Sequence, residues 1–106
     1  MKQQKTNMYT DIITQSINLR RFNVCSIQAN RNTVIVEPKG TPDGYDLDWV
    51  TFEWLVSQNT IGIWFFTPRE YHQETRYIKN VSQKSLKQIK TEITSIMKSF
   101  NFANFW

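Results

Sequence analysis

Glu37, Pro38 and Lys39 follow the apolar run TVIV. A carboxylate and a lysine two positions apart at a strand end have the spacing of the E-x-K half of a metal-dependent nuclease site. There the carboxylate would hold Mg²⁺ and the lysine would steady an attacking water. That chemistry also needs an acidic residue upstream on a neighbouring strand. Upstream stands only Asp11, in a helical stretch, and Asp43 comes after the lysine. The order is wrong and Pro38 ends the strand, so a strand-ending turn is the better reading.

Two other constellations are weaker. Glu70, His72 and Glu74 alternate, and on a strand they would share a face where two carboxylates flank an imidazole. On a loop after Pro68 the alternation carries no such meaning. Asp43, Asp46 and Asp48 lie in PDGYDLDW, but position twelve counted from Asp43 is Trp54, where a calcium loop needs a bidentate glutamate. Turn formation and capping account for these aspartates. With three glycines in the chain, a phosphate-cradling loop has little to draw on, and no nucleophile elbow or dinucleotide fingerprint is present. One cysteine and one histidine exclude an internal disulfide and a zinc site built from these residue types. The expectation is a non-catalytic protein without cofactor or metal, with Cys25 as a small buried residue.

Binding chemistry is better represented. The stretch TIGIWFFTPREYHQETRYIK alternates rings with cations. On a strand, Ile61, Ile63 and Phe65 share one face and Gly62, Trp64 and Phe66 the other. The first set is the better core. That leaves Trp64, Phe66, Tyr71 and Tyr77 to stack on bases, with Arg69, Arg76, Lys79, Lys84, Lys87 and Lys90 to meet phosphates. This is how sheets hold single-stranded nucleic acid. The competing reading buries the same rings under helices on both faces.

Charge is distributed unevenly. Residues 1–36 and 69–98 are basic, while residues 37–57 hold five acids against Lys39, within a net charge of +4. Basic surface favours polyanions, although a charge of this size also serves solubility alone. The acidic segment supplies a second expectation, a protein-interaction module: an adaptor, an inhibitor of another protein, or a subunit of a homo-oligomer. Its features are the acidic patch Asp43, Asp46, Asp48 and Glu53, the nearby Tyr45 and Trp49, and the aromatic tail residues Phe102, Phe105 and Trp106.

The elements that must position these groups are legible from periodicity. SLKQIKTEITSIMKSF places Leu86, Ile89, Ile93, Ile96, Met97 and Phe100 within an arc of about 100°. Ser85 and Gln88 form a capping box. The spacing predicts an amphipathic helix from about Ser82 to Phe100, with Lys84, Lys87, Lys90 and Lys98 on one polar flank and Glu92 on the other. FNVCSIQA and TVIVE read as strands around the turn NRN. LDWVTFEWLV fits a strand with Val50, Phe52, Trp54 and Val56 on one face better than a helix. SQNT turns it into IGIWFFT, and ETRYIKNV adds an edge-like strand. Met8, Ile12, Ile13, Ile17 and Leu19 suggest a short helix before the sheet.

The fold class expected is α+β, an antiparallel meander sheet of four to five strands flanked by a short N-terminal helix and an amphipathic C-terminal helix, in one domain over residues 1–106. No internal repeat, secretory leader or bilayer-length apolar run is read, so the expected location is cytoplasmic, away from membranes.

Overall fold

Strand-forming segments separated by short turns pair with their sequence neighbours, and here all of them do. A computed structural model describes residues 6–39, 48–67 and 72–100, His72 by its backbone alone. The strands are β1 (Phe22–Gln28), β2 (Thr33–Pro38), β3 (Trp49–Leu55), β4 (Thr60–Thr67) and β5 (His72–Lys79). They form one five-stranded antiparallel sheet in the order β1-β2-β3-β4-β5. Helix α1 (Met8–Gln15) precedes the sheet and α2 (Leu86–Ser99) follows it. The meander with a helix at either end is the architecture that the sequence implies. Segment 49–55 is a strand, as its β-branched and aromatic content favours.

Alternation divides the sheet into two faces. Val34, Val36, Val50, Phe52, Ile61, Ile63, Phe65 and Ile78 point to one side and are fully buried or nearly so. Both helices cover that side, α1 through Ile13, with Ile17 just past its end, and α2 through Ile89, Ile93 and Met97. Each fully buried aliphatic or aromatic side chain of this kind contributes roughly 1.5–3 kcal/mol relative to exposure. Phe100, just past α2, closes the core by stacking on Phe65 with ring centroids 4.2 Å apart. The opposite face of the sheet carries neither helix.

The turns explain how the meander is held. Hairpins β1-β2 and β3-β4 use the same device, a 3₁₀ turn ending in an asparagine in the left-handed region, Asn32 at φ 51° and Asn59 at φ 53°. Asparagine tolerates that conformation better than other side chains with a Cβ. The next residue locks the turn: Thr33 Oγ1 donates to the Arg31 carbonyl and Thr60 Oγ1 to the Gln58 carbonyl, each at 2.9 Å. Each asparagine carbonyl then accepts a backbone N–H from a later segment, Trp54 for Asn32 and Val81 for Asn59. The cap of α1 attaches to the first of these turns. Asn7 forms a capping box with Thr10 at the start of α1, and its Nδ2 donates to Ala29 O and Asn32 Oδ1. The recurrence of this turn is a structural repeat that residue-by-residue comparison of the sequence does not disclose.

Several local expectations are corrected. Helix α2 starts at Leu86, not Ser82: Ser85 is its N-cap, forming the expected box with Gln88, and Val81–Gln83 is a separate 3₁₀ turn. Leu86, Met8, Leu19 and Val56 are exposed. Leu86 is the first residue of its helix, before the apolar stripe meets the sheet. Val56 has left the strand for the turn. Cys25 is exposed rather than buried, because Phe22 and Val24 face the helices and alternation along β1 sets Cys25 on the open side, before the register shifts at Ser26.

Candidate binding face of the sheet

On the uncovered face, cross-strand pairing sets side chains in rows. One row runs Thr33, Glu53, Gly62, Tyr77 across β2 to β5, and the next runs Ile35, Thr51, Trp64, Thr75. In the third row Trp49 faces Phe66, which in turn pairs with Gln73. The rings of Trp49 and Phe66 sit 4.4 Å apart at 35°. Trp64 meets Tyr77 edge-on, with centroids 6.4 Å apart and planes at 79°. Trp49 is 39% and Tyr77 54% exposed.

Gly62 makes the arrangement possible. The Trp64 indole folds back along β4 and lies over Gly62, so that a Cβ there would sit 2.7 Å from Cζ3 and closer still to Cη2. The glycine is the seat of the ring, an aromatic covering a gap in the pleat. Beside the ring is a shallow concavity of about 330 Å³ lined by Trp49, Thr51, Glu53, Trp64, Phe66 and Gln73. Strand residues of this face bear three charges, Glu37, Glu53 and Lys79. At its β1 end the Cys25 thiol is pushed up to about 11, chiefly by partial desolvation, with the charge of Glu37 and a hydrogen bond to it adding to the effect.

Among the described residues, the expected ring set is thereby separated from the expected cations other than Lys79. Trp64, Phe66, Tyr77 and Lys79 share the open face. Arg76 pairs with Ile63 in the register, which turns it to the helix-covered side, where it forms an ion pair with Glu74. Lys84 precedes α2 and is bound to Glu92, so those two groups are partners and not occupants of opposite flanks. Lys87 and Lys90 lie on α2, exposed, on the far side of the sheet from the rings. Register is the reason: a one-position step along β5 exchanges faces.

The other named residues fall as follows. Asp48 is buried, 3% exposed at the entry to β3, with its carboxylate withdrawn from solvent. Arg69, Tyr71, Asp43, Tyr45, Asp46, Phe102, Phe105 and Trp106 lie outside the described residues, as does Glu70. His72 opens β5 opposite Thr67, and Glu74 turns to the helix side. Among the described residues no group of three or more His, Cys, Asp or Glu side chains could hold a metal ion. Among the same residues no helix is long and apolar enough to cross a membrane. Trp49 and Glu53, which the sequence groups with the acidic segment, join this face, because Trp49, Thr51 and Glu53 alternate with the apolar set of β3. No known protein family, curated protein or solved structure matches this chain.

Proposed function

We propose that this is a non-catalytic binding protein that docks a protein partner on the open face of its sheet. The observation that carries the reading is the cluster of Trp49, Trp64, Phe66 and Tyr77 on the solvent side of β3, β4 and β5, on the face opposite both helices. Aromatic anchors inside a polar rim are the usual composition of protein interfaces. Charge favours a protein over a polyanion here. Glu37 and Glu53 outnumber Lys79 among the strand residues of this face, and the paired Arg76 and Lys84 are engaged elsewhere. We infer a cytoplasmic site of action, which the exposed lone thiol of Cys25 supports, since such thiols persist best in reducing compartments.

A second reading, single-stranded nucleic acid, draws on one specific observation: Trp64, Phe66, Tyr77 and Lys79 do share a face. Capture experiments with the wild type, Tyr77→Glu and Lys87→Glu separate the two. The protein-docking reading expects a captured protein that is lost with Tyr77→Glu and kept with Lys87→Glu. Oligonucleotide binding that quenches tryptophan and weakens steeply with salt, with no captured protein, would replace it by the second.

A further inference from the structure

Resting on the proposal that a protein docks here, we infer that the trough beside Trp64 takes an arginine side chain of that partner. Three features converge. First, Glu53 is half-buried at one end of the concavity, and among the described residues no cation pairs with it. A carboxylate held against apolar rings gains most from a cation that brings its own hydrogen-bond donors. Second, Glu53 stands directly across from Gly62, the residue that the Trp64 ring covers. The carboxylate and the indole face are therefore neighbours, the pair of groups that a guanidinium satisfies at once, by a forked hydrogen bond and by stacking.

Third, the trough is elongated. Glu53 and Trp49 are four positions apart on β3, about 13 Å at the rise of a strand. Thr51 lies between them, and Trp49 with Phe66 closes the far end. A compact quaternary ammonium would use one end only. A cation on a methylene stem uses more of the length, with its head at Glu53 and its stem directed toward Trp49 and Phe66. Among the two natural cations of this shape, the planar head that both stacks and forks is that of arginine.

Isothermal titration with capped peptides tests this on the full chain. The probes are acetyl-Gly-Arg-Gly-amide and its lysine and citrulline counterparts. One side chain making these contacts should bind with a Kd on the order of 1 mM. Citrulline, equal in shape and uncharged, should bind at least about 10-fold more weakly, and lysine more weakly than arginine. Glu53→Gln should reduce arginine binding about 10-fold. Its far-UV circular dichroism should match the wild type, because Glu53 is outside the core. Equal binding of arginine and citrulline at the Trp64 ring would overturn the arginine assignment while leaving protein docking in place. Binding of none of the peptides, beside salt-sensitive quenching by oligonucleotides, would overturn both. Arginine binding unaffected by Glu53→Gln would place the cation elsewhere and overturn the proposal as well.

Discussion

Substituting Gly62 by alanine separates the role of the ring seat from the role of the fold. The added Cβ would stand 2.7 Å from Trp64 Cζ3, so the indole must lift off β4. The ring sits on the open face and is only half-buried, so it has solvent to move into. Three terms follow. Loss of the edge contact with Tyr77 costs about 0.5–1.5 kcal/mol. Exposing about 40 Å² of apolar surface under the ring costs about 1 kcal/mol. Against these, alanine in a strand recovers about 0.5–1 kcal/mol of the backbone entropy that glycine loses on folding. The net destabilisation is about 0.5–2 kcal/mol, small beside the 5–15 kcal/mol of an ordinary domain. Binding on this face should nevertheless fall about 10-fold or more, because the indole no longer lies beside Glu53. Urea denaturation followed by far-UV circular dichroism gives the first quantity, and titration monitored by tryptophan emission gives the second. The reasoning is refuted if Gly62→Ala binds as the wild type does. It is equally refuted if the variant loses more than about 4 kcal/mol, since the ring would then be part of the folded foundation.

The remaining predictions concern the frame that presents this face. Asn59→Ala forces a side chain with no local hydrogen bonding into the left-handed region and removes the Oδ1 acceptor of Ser82 N, so it should cost about 2 kcal/mol in urea denaturation, whereas Asn59→Gly, relieved of backbone strain, should cost about 1 kcal/mol or less. Phe100→Ala removes a buried ring stacked on Phe65 and should cost about 3–4 kcal/mol, read as a fall in thermal midpoint with far-UV signal retained below it. The Cys25 thiol, raised to about 11, should be alkylated by iodoacetamide at pH 8 roughly 100-fold more slowly than an unperturbed thiol, and Glu37→Gln should recover part of the rate. The sign is fixed by the upward shift. The folded state favours the protonated thiol, so this contribution to stability is intact below the ordinary thiol pKa and disappears as pH rises through about 11.

What could be read in the sequence follows from periodicity and ends where register and turn geometry begin. The alternation of Ile61, Ile63 and Phe65 with Gly62, Trp64 and Phe66 assigns both faces of β4 correctly, because the period of a strand is two. The capping box Ser85–Gln88 is equally legible, since both residues must be present at fixed spacing. Arg76 and Tyr77 are neighbours in sequence and opposed in space, and only the pairing with β4 says which one joins Trp64. Without that register, rings and cations merge into one imagined surface. Glu92 and Lys84 fail for a related reason, as an ion pair spanning the helix start is invisible to a helical wheel. Cys25 is misjudged because the general burial of free cysteine outweighs the alternation with Phe22 and Val24, which sets it on the open side. Gly62 illustrates a subtler gap: a glycine in a strand signals a close approach, but not whether a ligand or the chain's own Trp64 makes it.

The central claim, that the open face is where a partner arginine docks, is most directly tested by the indole N–H resonances of the tryptophans during titration with the arginine peptide. Trp54 lies on the helix-covered side against Tyr9, with centroids 4.9 Å apart, and serves as an internal control. The signals of Trp49 and Trp64 should move together and saturate while that of Trp54 stays in place. Movement of Trp54 alone, or perturbations confined to the Lys87 and Lys90 side of α2, would contradict the account.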